Sequence, residues 1–294
     1  MPEILVISGK GGTGKTSVTG ALAYLAQNKV ICDLDVDAPD LHLLLQPQAR
    51  QVHQFYSGNE AIINPELCTS CGLCKEKCRF EAIIEGEDAF RVDPLKCEGC
   101  KLCVALCPAE AIEFPQRHCG TWQVSDTRMG PMVHAQLFPG QENSGRLVAL
   151  LRQHARELSQ EHGYELILSD GPPGIGCPVI SSMSGTDLAV VVTEPTPSGR
   201  HDLERVLELC RHFKVPAGVI INKCDLNLDQ SQAIADYCAR EGLELLAQLP
   251  FDPAMVRAMV QGQVINEYQQ NGLAEDLAQA WEKILKMAAH KKAA

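Results

Sequence analysis

No stretch of the 294-residue sequence approaches the roughly 20 consecutive apolar residues that a membrane-spanning helix needs, so a spanning segment is not expected. The first residues, MPEILVISGKGG, lack a basic head and a small-residue cleavage site. No secretory leader is therefore expected, and a cytoplasmic location is. Positive charge is scarce: 26 Lys and Arg stand against 37 Asp and Glu, a net charge of −11. A diffuse nucleic-acid binder works through a basic surface, so nucleic acid is not an expected partner. Compositional bias is also missing. At 45% hydrophobic and 21% charged, the chain is not a disordered segment, a coiled coil or a collagen. Its length suits one principal domain with a smaller insertion.

Cysteine, by contrast, is abundant, at 14 residues. Without an export signal, metal or redox use is expected rather than disulfides. Eight cysteines crowd between Cys68 and Cys107; Cys32 lies upstream, and Cys119, Cys177, Cys210, Cys224 and Cys238 are scattered downstream. The flanks have a different rhythm. Apolar strand-like runs at Leu166–Leu168, Leu188–Val192, Ala217–Ile221 and Leu243–Leu249 alternate with helical segments at Gly145–Gln160, Arg200–Phe213 and Leu228–Arg240. That alternation predicts an α/β fold, a mostly parallel, doubly wound sheet covered on both faces. The expected organisation is a principal domain over residues 1–57 and 114–294, interrupted by a small α+β domain over residues 58–113.

The interruption is internally duplicated. Ile63-Asn-Pro-Glu-Leu-Cys68 matches Val92-Asp-Pro-Leu-Lys-Cys97 in layout, each heads a C-x2-C-x2-C-x3-C run, and each run is followed by Ala-Ile, at Ala82-Ile83 and Ala111-Ile112. Three cysteines at this spacing can wrap three corners of one inorganic cluster. A four-cysteine zinc site is the weaker alternative, because zinc sites rarely crowd four cysteines as closely as Cys68 to Cys78. The segment resembles the bacterial two-cluster ferredoxins, in which the fourth cysteine of each run reaches the other cluster. That resemblance implies one 4Fe–4S cluster on Cys68, Cys71, Cys74 and Cys107, and a second on Cys97, Cys100, Cys103 and Cys78. Pro108 follows Cys107 as the pattern expects; Arg79 replaces the corresponding proline after Cys78, where a cation can raise the potential of the nearby cluster.

At the N-terminus the apolar run Ile4–Ile7 is followed by Gly9-Lys-Gly-Gly-Thr-Gly-Lys-Thr16 and a helical segment from Lys15 to Gln27. Glycines between a strand and a helix let backbone N–H groups close on phosphate oxygens at the positive end of the helix. Gly11, Gly12, Thr13, Gly14, Lys15, Thr16 and Ser17 are therefore expected to cradle phosphate, with Lys15 at the β and γ oxygens and Thr16 on magnesium. The second lysine, Lys10, makes the loop resemble the deviant Walker A group, to which the MinD and Mrp ATPases and the nitrogenase iron protein belong. The resemblance implies that Lys10 reaches the nucleotide of a partner copy in an ATP-sandwich homodimer. It maps a magnesium-side carboxylate onto Asp33 and the water-orienting catalytic carboxylate onto Asp35, both in Cys32-Asp-Leu-Asp-Val-Asp37. Leu166-Ile-Leu-Ser-Asp170 is an apolar strand ending in an acid, so Asp170 is the expected second magnesium carboxylate, and Gly171–Gly176 the expected switch.

Asn222 and Asp225 form an N-K-x-D sequence after another strand, and Pro250 with Asp252 follows the next; these four are the candidates for the base pocket, with ATP expected over GTP. Cys177, and with it Cys119, could ligate a bridging cluster, as a cysteine in a similar place does in the nitrogenase iron protein; otherwise both are small buried side chains. His118, His134 and His201 stand in no metal spacing. The C-terminal segment Leu273–His290 is amphipathic, but Glu275, Asp276 and Glu282 dilute its basic face, so it is expected to dock on the core rather than on a membrane. Together these readings predict an enzyme, an ATPase with Mg2+ and two 4Fe–4S clusters, coupling nucleotide-driven dimer switching to electron transfer toward an unidentified redox partner. The alternative is an ATP-dependent scaffold or carrier that passes metal clusters to an accepting protein.

Overall fold

Ile4-Leu5-Val6-Ile7 contains no polar position because both sides of this strand are covered. A strand at the centre of a parallel sheet loses the alternation that marks a half-exposed one. The computed structural model describes residues 1–141 and 144–290. In chain order the first elements are β1 (Glu3–Ser8), α1 (Lys15–Leu25), β2 (Lys29–Asp33), α2 (Leu41–Leu45), β3 (Gln48–Asn59), β4 (Ile62–Ile63), α3 (Leu73–Lys77), β5 (Ile83–Glu85), β6 (Phe90–Val92), α4 (Leu102–Leu106), β7 (Ile112–Glu113), β8 (Gln116–Thr127) and β9 (Gly130–Leu137). There follow α5 (Ser144–His162), β10 (Leu166–Pro173), α6 (Cys177–Met183), β11 (Leu188–Thr193), α7 (Pro197–His212), β12 (Ala217–Asn222), α8 (Leu228–Arg240), β13 (Glu244–Leu249), α9 (Pro253–Val260), α10 (Ile265–Tyr268) and α11 (Leu273–His290).

Nine strands form one sheet in the order β13-β12-β11-β1-β10-β2-β9-β8-β3. The pairs from β13 across to β9 are all parallel. Ile4 and Val6 of β1 join Val18, Ala21 and Leu22 of α1 and Leu277, Trp281 and Ile284 of α11 in one buried cluster. Leu5 and Ile7 point the other way, as strand alternation requires, and α5, α6 and α7 pack on the neighbouring strands. The apolar stripe of α11 is thus spent on the core, against α1 and β13. No helix among the described residues is long and apolar enough to cross a membrane.

Contacts divide the chain into two compact units. The first is Met1–His53, Trp122–Gln136 and Ser144–Ala294; the second is Gln54–Thr121 and Leu137–Asn143, wider than the 58–113 expected from the cysteine runs. The difference comes from strands the sequence analysis did not foresee. Gln116–Leu137 folds as the hairpin β8–β9, whose two-residue connection, Arg128-Met129, carries no glycine; Gly130, at φ 120, comes one position later.

Within the second unit, β4 pairs with β7 and β5 with β6, both antiparallel. Its core is small: Ala61, Ile63, Ile83 and Ile112, with Cys68, Cys74, Cys78, Cys97, Cys103 and Cys107 packed against them. Thiols do part of the work that larger apolar side chains do elsewhere.

His134 on β9 is mostly buried, with Ser125 Oγ 2.8 Å from its Nε2. Burial, helped by His42, pushes its pKa down to about 4. The unfolded chain takes up this proton near its ordinary value of 6.5, before the folded one does. Stability present above pH 6.5 is therefore lost as pH falls toward 4, by up to about 3 kcal/mol from this group. His134→Gln should shrink the gap between unfolding free energies measured in urea at pH 7 and pH 4.5. An unchanged gap would remove His134 from the acid response.

Candidate functional site

The loop between β1 and α1 delivers its glycines to a crowded place. Gly14, at φ 88, is the residue before α1, and no side chain caps the helix there. A Cβ on Gly14 would come within 2.3 Å of Asn222 Nδ2, so both the backbone angle and the space require glycine. The leading N–H groups of α1 are consequently left for an anion. The Thr13 hydroxyl is also buried without a hydrogen-bond partner.

Behind the loop, β2 and β10 run side by side with Asp33 opposite Asp170. Lys15 Nζ lies 2.9 Å from Asp170 Oδ2 and 3.6 Å from Asp35 Oδ2. Thr16 Oγ1 donates to Asp170 Oδ2 at 2.8 Å, and Thr19 Oγ1 to Oδ1 at 2.6 Å. Burial alone would push the Lys15 ammonium down, but Asp170 and Asp35 outweigh it and hold the pKa above its ordinary value. Asp33 is fully buried; burial first and Asp170 second push its carboxyl well up. Its Oδ1 accepts the Asp35 N–H at 3.1 Å, while Oδ2 is buried with no partner. Burial raises Asp35 to about 6, with Lys15 opposing and Asp170 adding. A buried, unpartnered carboxylate oxygen beside a second carboxylate and a threonine hydroxyl is the donor set that a hard divalent cation such as Mg2+ takes. The residues present fit that ion.

Lys10 is held elsewhere. Its Nζ is 2.7 Å from Glu194 Oε1 and donates to Ser198 Oγ at 3.0 Å and Thr196 Oγ1 at 3.2 Å. Glu194 also takes Lys223 Nζ at 3.1 Å, and Lys223 donates to the carbonyl of Gly12 at 2.9 Å. Glu194 and Lys223 thus belong to the loop's surroundings, and the sequence analysis missed them. The available signal was that Glu194, like Asp33 and Asp170, is an acid at the end of an apolar strand. Thr19 escaped as well, although it lies one helical turn after Lys15.

Three of the four base-pocket candidates are hydrogen-bonded to backbone groups. Asn222 Nδ2 donates to the carbonyl of Thr13 at 2.7 Å, bracing the phosphate loop. Asp225 Oδ1 accepts the Phe251 N–H at 2.6 Å, and Asp252 caps α9 by accepting from Ala254 N–H at 2.8 Å. Pro250 is exposed. β10 runs on to Pro173, into the Gly171–Gly176 stretch expected as a switch. Gly171 is tightly packed, its missing Cβ 2.5 Å from Ile7 Cγ2, and the turn comes at Gly174, φ 88.

In the second unit the eight clustered cysteines sort into two cavities. One is lined by Cys78, Cys97, Cys100 and Cys103 among Ala61, Phe80, Ile83 and Phe114. The other is lined by Cys68, Cys71, Cys74 and Cys107 among Ile63, Phe90 and Ile112. No three Cys, His or acidic side chains among the described residues converge on a single-ion site. Four thiols around a largely apolar cavity instead suit a multi-atom iron–sulfur cluster. Cys119 is buried and donates its thiol to the Ser57 carbonyl at 3.2 Å, whereas Cys177 is exposed at the start of α6. The two fall in different units.

The profile of the CobQ/CobB/MinD/ParA nucleotide-binding domain matches residues 4–286. An uncharacterized protein of Methanocaldococcus jannaschii is 35% identical over 76% of this chain and 79% of its own. A Drosophila ananassae protein named as a cytosolic Fe–S cluster assembly factor, a Nubp1 homolog, is 25% identical over 96% of this chain and 81% of its own. Among solved structures, the septum site-determining protein MinD of Pyrococcus horikoshii, complexed with Mg-ADP, superposes with a TM-score of 0.57 at 18% identity, covering 99% of this chain and 98% of that one.

Proposed function

This chain belongs to the CobQ/CobB/MinD/ParA family of nucleotide-binding domains, and on that premise we propose an ATP-hydrolysing switch whose second unit carries two 4Fe–4S clusters. The observation that carries the reading is the crossed sorting of eight cysteines, three from one run and one from the other around each cavity. In the nucleotide site, Lys15 neutralises the β and γ phosphate oxygens, and the N–H groups of Gly11 to Ser17 cradle them. Thr16, Asp33 and Asp170 hold the magnesium ion, and Asp35 orients the attacking water. Lys10, once released from Glu194, adds its charge to the phosphates of a second copy. Asn222, which already braces Thr13, stands with Asp225, Pro250 and Asp252 on the base side of the loop.

Bound clusters supply one-electron chemistry, and hydrolysis acts as a gate on it, since a nucleotide shifts a conformation only by its differential affinity for two states. A second reading, assembly or delivery of clusters, is favoured by the resemblance along most of both chains to the Drosophila assembly factor. Anaerobically purified protein should hold about eight irons and eight sulfides per chain. If the iron stays bound and cycles in EPR while ATP turns over, the gated relay holds. If iron and sulfide pass to an apoprotein with turnover, the assembly reading replaces it. Stoichiometric zinc without acid-labile sulfide would sink both.

Two substitutions divide the roles at the nucleotide. Asp35→Ala should bind ATP normally and lose about 10²-fold or more in turnover, because water orientation matters only in the transition state. Normal hydrolysis by that variant would mean another group orients water. Lys10→Ala should leave binding by a single subunit intact, yet weaken dimerisation by a non-hydrolysable ATP analogue in sedimentation. An unchanged dimer would remove the sandwich.

A further inference from the structure

The two cysteine cavities are built alike but not charged alike. Apart from its thiols, the cavity of Cys68, Cys71, Cys74 and Cys107 is lined by no ionisable side chain. Lys75 beside it is paired with Glu85 at 2.7 Å. The cavity of Cys78, Cys97, Cys100 and Cys103 has cations on several sides. Arg79 stands 5.6 Å from the centre of the Phe80 ring, and Lys101 5.8 Å from that of Phe114; both rings line this cavity. Arg117 Nη2 donates to the Cys97 carbonyl at 2.6 Å. Its guanidinium is largely buried, and its Nε is buried without a hydrogen-bond partner.

The acids nearby offset only part of this charge. Glu60 Oε2 is 3.4 Å from Arg117 Nε, and Glu98 lines the cavity. Lys77 also lines it but is paired with Glu76 at 2.7 Å, so it adds little. Three cations, Lys101 in the lining and Arg79 and Arg117 against lining residues, therefore stand against two acids at one cavity, whereas no ionisable side chain besides the thiols lines the other. One contact works in the opposite direction: the Ala111 N–H approaches Cys107 Sγ at 3.4 Å. That is a neutral dipole against whole charges, one of them poorly screened.

We propose, resting on the two-cluster reading above, that the cluster held by Cys78, Cys97, Cys100 and Cys103 has the more positive potential, and that Arg117 is the main residue that sets it. A reduced cluster carries one more negative charge than an oxidised one. Local charge and hydrogen bonding to the ligand loops are levers on its potential. An electron given to the pair by a one-electron reductant then settles on this cluster. The other cluster loses one electron as this one gains one, and no bond or proton changes place. The difference in potential gives the relay a direction, in at the Cys68 set and out at the Cys97 set.

The test is an EPR-monitored redox titration of anaerobic holoprotein with dithionite, with iron and sulfide counted on the same samples. Cys100→Ser marks one cluster by altering its spectrum. Two potentials are expected, the more positive one belonging to the marked cluster. Arg117→Gln should lower that potential alone, moving the electron's partition toward the other cluster at least tenfold, about 59 mV for one electron. Arg117→Lys, which keeps the charge, should recover part of the shift. Lys101→Gln, at an exposed position, gives a smaller shift of the same sign and serves if Arg117→Gln does not load. With eight irons present, a single shared potential, the reverse order, or equal shifts at both clusters overturns the proposal and leaves the two-cluster reading standing. Fewer than eight irons in the unaltered protein overturns both.

Discussion

Lys15→Ala should lose nucleotide affinity by about 10²- to 10³-fold, and the protein should become less stable even without nucleotide. Both effects come from one ammonium among three buried carboxylates. In binding, Lys15 supplies charge-assisted hydrogen bonds to phosphate, worth roughly 1.5–3 kcal/mol each. In the free protein it sits 2.9 Å from Asp170 and 3.6 Å from Asp35. Removing one partner of a buried pair costs about 3–5 kcal/mol, because the other charge stays behind. The cost should depend on pH in a definite sense. Asp35 already sits near 6 with Lys15 present, and losing the cation pushes it higher. At pH 5.5 a proton replaces part of the missing charge; at pH 8 nothing does. The stability deficit of the variant, measured in urea, should thus widen from pH 5.5 to pH 8. A deficit that ignores pH would mean that the carboxylates do not depend on Lys15.

Cys107→Ala should halve the iron, from about eight to about four per chain, and the cluster lost should be that of the opposite run. The decisive comparison is between pairs. Cys71 and Cys107 line one cavity, and Cys78 lines the other. The double variant Cys71→Ala with Cys107→Ala should therefore keep about four irons, because both substitutions strike the same cluster. Cys71→Ala with Cys78→Ala should keep almost none. If each run instead held its own cluster, these outcomes would be exchanged, and iron analysis alone tells the two apart.

Much of this architecture was readable before the fold was seen, for identifiable reasons. The segment Leu228–Arg240 has helical periodicity between clear boundaries, and α8 occupies those residues. The loop Gly9–Gly14 could be placed between a strand and a helix because its glycines weaken either element and supply the positive φ that Gly12 and Gly14 adopt. Asp33 and Asp170 could be paired in thought because parallel strands bring their C-terminal ends to one edge of the sheet, and the register sets them side by side. What the sequence concealed depends on distant partners. Nothing local in Asn222 says that its amide reaches the carbonyl of Thr13, or in Glu194 that it holds Lys10 and Lys223 together. The β8–β9 hairpin was hidden because its two-residue connection lacks the usual turn residues. Cys119 looked like a ligand candidate by its chemistry, but its thiol is turned into the fold toward Ser57.

The crossing of the two cysteine runs has a consequence for heredity as well as for chemistry. Each repeat is complete as a stretch of sequence, yet neither cavity is complete without a thiol from the other. Even the strand pairing respects this, since Ile63 from before the first run lies opposite Ile112 from after the second. A truncation that removes one repeat does not leave half of a working unit; it leaves two unfinished ones. The ancestral single repeat could have closed such cavities only by pairing with another copy of itself. Once duplicated and joined, the two halves lost the freedom to be shed, shuffled or lengthened one at a time.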